Sequence, residues 1–298
     1  MRSTLRTPVA RPALALPALV LVLLSGHALA ALPVSLDDDA TLRPGAPILP
    51  DDWLTVNTLH GETRHLGCTA NFLFRDDAGN RYVGTAGHCA PVARGVHAWA
   101  PGEGPVARHG LRVEDAVPIG RFVFAASTLA PARAPLPFVG FVPEWDLALI
   151  RLDPGVEASP QMAHFGGPTG LNADLSPAPA LLHHYGWGVH GVNGEPEVSG
   201  CCAFEQPAHG RTALAPSLSH PHLVHVLDVA GGGDSGSPVI GADGRAVGIV
   251  SSANYADHGA GASGAQTGNG IYVRLGPQLA LAEATLGLAL TLETAPLR

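Results

Sequence analysis

The 298-residue chain predicts an all-β fold. Glycine (37) and proline (27) are plentiful. Between them lie short runs rich in β-branched and aromatic residues, and few stretches have helical period. The apolar fraction of 46% is ample for a core, and a charged fraction of 14% is too low for a disordered chain. The length suits one large domain or two modest ones.

The first 30 residues open with Arg2, Arg6 and Arg11 and continue with an apolar run from about Ala13 to Leu24. They end on Ala28-Leu29-Ala30, a small-x-small cleavage site, and so predict a secretory signal peptide over 1–30. The apolar run is short of the ~18 residues that a membrane span needs. The mature chain is expected to be exported, extracellular or periplasmic, with no membrane contact after cleavage. Residues 31–52 are acidic and proline-rich without periodicity, which predicts a flexible lead or short pro-segment.

From Trp53 the pattern changes. "WLTVNTLHG", "CTANFLFRDDAGNRYVGTAGHC", "GRFVFAAS" and "WDLALIRLD" are strand-like runs, with "DDAGN" as a hairpin loop, and form a first β-rich half over 53–154. Within it, "APARAPLPFVGFVPE" reads as a loop, because its prolines would spoil a central strand. A Pro/Gly-rich linker covers 155–179. Strands resume over 180–275 with "LLHHYGWGV", "HLVHVLDVA", "SPVIGADGRAVGIVSS" and "GIYVRL". Residues 276–298 hold a terminal helix and tail, with Pro277 at the helix start and Leu279, Leu281, Leu286 and Leu288 as its apolar face.

Seventeen basic residues against 25 acidic ones give a formal net charge of -8, with no basic patch for a nucleic acid. Four cysteines in an exported chain read as disulfide partners. A zinc site fails on spacing, because there is no C-x-x-C pair. Cys201 and Cys202 are adjacent, a bridge between neighbours needs a strained peptide, and their pairing stays open. His220, His222 and His225 in "HPHLVH" read as a polar loop followed by a half-buried strand, and Asp37 to Asp39 as a solvated acidic tail. No metal and no cofactor are expected.

Three local signals stand in the order His, Asp, Ser: "TAGHC" around His88, "EWDLALIRL" around Asp146 and "GGGDSGSPV" around Ser235. A serine hydroxyl is a weak nucleophile at neutral pH and needs a base to take its proton. Histidine, with an ordinary pKa near 6.5, is the natural base, and a carboxylate holds its useful tautomer. Glycines around the serine let the loop turn sharply and bring N–H groups together.

On these motifs the chain, from about Trp53 to Leu290, resembles secreted serine proteases of the chymotrypsin/trypsin family, in their bacterial form. The resemblance implies two antiparallel six-stranded β-barrels with a C-terminal helix on the second. It implies a triad of Ser235 as nucleophile, His88 as base and Asp146 as orienting carboxylate, with an oxyanion hole from the N–H groups of Gly233 and Ser235. Cys68 and Cys89 match the family's bridge beside the catalytic histidine, closing a loop of about 20 residues worth on the order of 3 kcal/mol. Ser251 matches a serine that bonds the triad acid and lies beside bound substrate. Val229, Ala253 and Gly270 fall at the specificity pocket, where the absence of an aspartate at 229 argues for an apolar side chain over Arg or Lys. The expected substrate is a protein or peptide, cleaved by a monomer. A catalytically silent homologue that binds protein is the alternative, and the same machinery also cleaves activated esters.

The chain departs from the family in three places. No R-I-V-G-G-like activation site is present, and Arg43 is followed by proline, so either the lead is removed at another site or Asp234 uses an internal cation, for which an arginine is expected. Ser237 stands where glycine is usual, and Ser252 where many members have tryptophan.

Overall fold

The structure, a computed structural model, describes residues 41–50, 55–57, 63–65, 67–110, 116–127, 145–186, 209–227, 233–253 and 270–298. By contact the chain divides into Met1–Ala30 and Ala31–Arg298, and every described residue belongs to the second unit. The signal-peptide segment, Val229, Cys201, Cys202 and the proline-rich stretch before Trp145 lie outside the described residues.

In chain order the strands are β1 (Pro47–Pro50), β2 (Thr55–Asn57), β3 (Thr63–His65), β4 (Cys68–Thr69), β5 (Leu73–Arg75), β6 (Arg81–Thr85), β7 (Gly95–Ala98), β8 (Val106–His109), β9 (Val117–Ser127) and β10 (Asp146–Leu152). There follow β11 (Ala180–Gly186), β12 (His209–Ala215), β13 (Leu223–Val226), β14 (Pro238–Gly241), β15 (Ala246–Ala253), β16 (Gly270–Arg274), helix α1 (Leu275–Leu286) and β17 (Thr291–Leu292). They form two curled antiparallel sheets. The first runs β17-β5-β6-β10-β9-β8-β1-β4 with β7 also on β9, and the second runs β12-β11-β14-β15-β16-β13. Strands β2 and β3 pair by themselves. The all-β class and the helix after the last long strand are as expected. The first sheet has nine strands because short pieces such as β1, β4 and β17 extend its edges.

Hairpin chemistry explains the local turns. Asp76 accepts from the Asn80 backbone N–H at 2.8 Å and from Asn80 Nδ2 at 2.7 Å, which closes the β5–β6 turn. The β14–β15 turn closes through Gly244 N–H to Gly241 O at 2.9 Å.

Three apolar cores hold the two sheets. Leu42, Ile48, Leu73, Val83, Phe122, Ala148 and Ile150 fill the first sheet's interior. Leu182, Val224, Val239, Val247, Val250 and Tyr272 fill the second. A third core lies between the sheets and takes in Phe72, Phe124, Leu147, Leu149, Tyr185, Ile249, Leu275, Leu279 and Ala282. Alternate residues of β10 therefore face two different cores, which is why "DLALI" is apolar on both faces and does not alternate.

Two expectations are corrected. Residues 42–49 are not a flexible lead. Leu42 and Ile48 are buried in the first core, Arg43 is buried, and β1 pairs with β4 and β8. The prolines at the two ends of this short strand, Pro47 and Pro50, hid its apolar middle from a reading based on periodicity. The helix starts at Leu275, two residues before Pro277, which sits in its first turn where a missing N–H is harmless. Its buried stripe is Leu275, Gln278, Leu279 and Ala282, while Leu281, Leu286 and Leu288 are only partly buried. Among the described residues no helix is long and apolar enough to cross a membrane.

Candidate active site

His88 sits in a single 3-10 turn, Gly87–Cys89, directly after β6. A disulfide joins Cys89 to Cys68 on β4, with Cα atoms 6.4 Å apart. Ala86 is buried with both cysteines, so the base of the turn is dry. The His88 backbone N–H donates to Asp146 Oδ1 at 2.8 Å, and its ring Nδ1 lies 2.9 Å from Oδ2 and 3.1 Å from Oδ1. A carboxylate can only accept, so this contact places the ring proton on Nδ1. That leaves the Nε2 lone pair 2.8 Å from Ser235 Oγ.

Asp146 opens β10 and is 1% exposed, whereas the His88 side chain is 27% exposed. The carboxylate is sealed, while the imidazole is open to solvent. Burial pushes the His88 pKa down, but the charge of Asp146 and its hydrogen bond outweigh that and hold it above the ordinary 6.5. The buried Ser251 hydroxyl also donates to Asp146 Oδ2. Ser251 is the extra residue of a bulge in β15, since Val250 pairs with Tyr272 and Ser252 with the next residue, Ile271. A bulge turns one side chain out of the alternation of its strand, and here it goes with the hydroxyl reaching the carboxylate.

The loop before β14 is fastened to the first sheet by side chains that motif reading passed over. Thr69 on β4 donates its hydroxyl to Gly233 O at 2.9 Å and its N–H to Ser235 O at 2.8 Å. Thr85 Oγ1 in turn donates to Thr69 O at 2.9 Å. Gly236, with φ +89°, donates to Val250 O at 2.8 Å, and a Cβ there would lie 2.4 Å from Thr69 O and 2.6 Å from Ala86 N. Only glycine fits at that crossing of backbones. Asp234 is buried beside Gly186, where a Cβ would stand 2.4 Å from its Oδ1 and 2.1 Å from Ser237 Oγ. Ser237 is fully buried, and its hydroxyl has no hydrogen-bond partner among the described residues.

The structure brings His88, Asp146, Ser235 and Ser251 together. Gly233 lies in the same loop as Ser235. At the pocket positions, Ala253 on β15 and Gly270 on β16 are direct cross-strand partners. His220 is engaged in a turn, where its Nδ1 accepts from the N–H groups of His222 and Leu223. Thr69 and Thr85 gave no signal beyond their places next to Cys68 and Ala86 in the motif-bearing segments.

The two curled antiparallel sheets with a helix after the last long strand form a trypsin-like fold. The family model for trypsin matches residues 59–275, and the chain belongs to the trypsin family. No curated protein matches the chain. Among solved structures it is similar to Nocardiopsis protease, at 14% identity over 84% of this chain and 99% of that one, with a TM-score of 0.43. A Glu endopeptidase matches at 11% identity over 86% and 96%, with a TM-score of 0.46. The scabies mite inactivated protease paralogue S-I1 matches at 13% identity over 81% and 92%, with a TM-score of 0.42.

Proposed function

We propose that the chain is a secreted serine endopeptidase that acts on protein or peptide substrates. The observation that carries this reading is the 2.8 Å contact from Ser235 Oγ to His88 Nε2, with Nδ1 of the same ring on Asp146. Ser235 Oγ attacks the substrate carbonyl carbon while its proton passes to Nε2. The imidazolium then protonates the leaving amine as the C–N bond breaks, and an acyl ester remains on Ser235. Water, deprotonated by the same nitrogen, hydrolyses that ester and releases the acid. Asp146 keeps its negative charge throughout and stabilises the imidazolium. The N–H groups of Gly233 and Ser235 serve as the oxyanion hole, and each such donor is worth ~10²–10³ in rate. Their loop is tied to the first sheet through Thr69, which supports a preset geometry. Val229 together with the small Ala253 and Gly270 favours an apolar P1 side chain.

The test is a fluorophosphonate probe on the secreted protein, with the adduct located by peptide mass spectrometry. The expected result is one adduct, on Ser235, which the Ser235→Ala variant lacks. Well-folded protein that takes up no probe sinks the reading. On a peptide library the same enzyme should cut after apolar residues, and cleavage confined to Arg or Lys rules out the proposed pocket.

A further inference from the structure

The buried stripe of α1 contains one polar side chain. Leu275, Gln278, Leu279 and Ala282 follow the i, i+3, i+4, i+7 spacing of a core-facing helix, and Gln278 has no exposed surface. A buried amide costs free energy unless its polar atoms are hydrogen-bonded. Gln278 Oε1 accepts from the backbone N–H of Asp146 at 3.0 Å, across 132 residues of sequence. The sheet leaves room for this. Pairing of β10 with β6 stops at Ala148 opposite Thr85, two residues short of Asp146. The acceptor that a longer β6 would have supplied comes from the helix.

Asp146 is therefore held twice. Its carboxylate takes donors from His88 and Ser251, and its own backbone is fixed by Gln278. Its neighbours are fixed from the same side. Trp145 packs edge-on against His222 with ring centroids 5.2 Å apart, and Leu147 shares the core of Leu275, Leu279 and Ala282. The carboxylate is only two bonds from the Cα that this clamp locates, so a shift of the backbone is passed directly to Oδ2 and to the tilt of the His88 ring.

We infer that Gln278 is a positioning residue: from the helix it fixes the backbone of Asp146, and through it the carboxylate that orients His88 toward Ser235. The inference rests on the proposed triad for its effect on rate, but not for its effect on the His88–Asp146 hydrogen bond.

The test compares Gln278→Met, which keeps the length and loses the acceptor, with Gln278→Glu, which keeps an acceptor at the same reach. Leu182→Ala, in the second sheet's own core and outside the core that holds Leu147, is the packing control. Each full-length secreted variant is read by kcat, KM and melting temperature, and by the downfield proton resonance of His88 Nδ1–H. Gln278→Met is expected to lower kcat by about 10–100-fold with KM within about twofold, the cost of a misplaced catalytic group, and to move the Nδ1–H resonance. Gln278→Glu should recover part of kcat. Leu182→Ala should lose melting temperature while keeping both kcat and the resonance. The inference is overturned if Gln278→Met leaves the resonance in place, or lowers kcat no more than Leu182→Ala does. If the parent protein takes up no fluorophosphonate, the triad reading fails and the resonance alone still decides the role of Gln278. If Gln278→Met does not fold, Gln278→Leu, which also lacks the acceptor, is read in its place: a shifted Nδ1–H resonance supports the role, and one that matches the parent refutes it.

Discussion

At the scale of single residues, His88 sets the pH behaviour. Its pKa is raised in the folded protein because the attraction of Asp146 exceeds the burial cost. Catalysis needs the neutral ring, so kcat/KM is expected to rise with pH through an apparent pKa above 6.5, and a pH–rate profile checks it. A midpoint at or below 6.5 contradicts the Asp146 pairing. Stability runs the other way. The protonated pair contributes fully below the unfolded value near 6.5, and that contribution is lost as pH rises through the folded value. The clustering of His88, Asp146, Ser235 and Ser251 and the Cys68–Cys89 pair were legible because each residue sits in a motif of dense local constraint. Gln278, Thr69 and Thr85 were not. Their partners lie 132, 164 and 16 residues away, and a lone Gln or Thr in a strand or helix reads the same whether it points at solvent or at a catalytic loop.

At the scale of elements, the turn carrying His88 depends on its tether. The disulfide spans 21 residues and connects that turn to β4, the strand whose Thr69 holds the nucleophile loop. Replacing both cysteines by alanine is expected to cost about 3 kcal/mol in the chain-entropy model. That corresponds to a fall in melting temperature of roughly 6–12 °C for a domain of this size, measurable by calorimetry, with activity falling further than the loss of folded protein explains. A double variant as stable as the parent shows that β4 and the turn are held by packing alone. Elements were readable where apolar residues and turn signals alternated, as in β5–β6 and β14–β15. β1 was not, because its two prolines mark a loop in sequence but occupy the two ends of a short paired strand. The helix start was displaced for a similar reason: Pro277 announces a first turn without saying which of its positions it takes.

At the scale of the whole molecule, the segment after α1 returns to the first sheet. β17 pairs with β5, and Glu293 receives Arg81 at 2.6 and 2.9 Å and Arg75 at 3.2 Å. Burial works against the Glu293 charge, but the two guanidiniums hold its pKa below the ordinary carboxylate range. Its contribution is present above about pH 4.5 and is lost as pH falls through the lowered folded value. Glu293→Gln is expected to cost about 1–2 kcal/mol at pH 7, given partial exposure of the arginines, and to flatten acid unfolding below pH 4.5. Urea titrations at pH 7 and pH 3 measure both. Equal losses at the two pH values show that the charge plays no part.

The reach of these contacts along the chain also gives the molecule a clock. A ribosome delivers Asp146 132 residues ahead of Gln278, and Arg81 212 residues ahead of Glu293. At synthesis rates of about 5–20 residues per second, the aspartate waits roughly 7–26 s for its clamp and the arginine roughly 11–42 s for its counter-ion. Over that interval the Phe72, Phe124, Leu147 and Leu149 surface meets its cover in stages, Tyr185 and Ile249 of the second sheet emerging before Leu275, Leu279 and Ala282. The backbone of Asp146 is among the last to be served, and its wait ends only when the helix arrives.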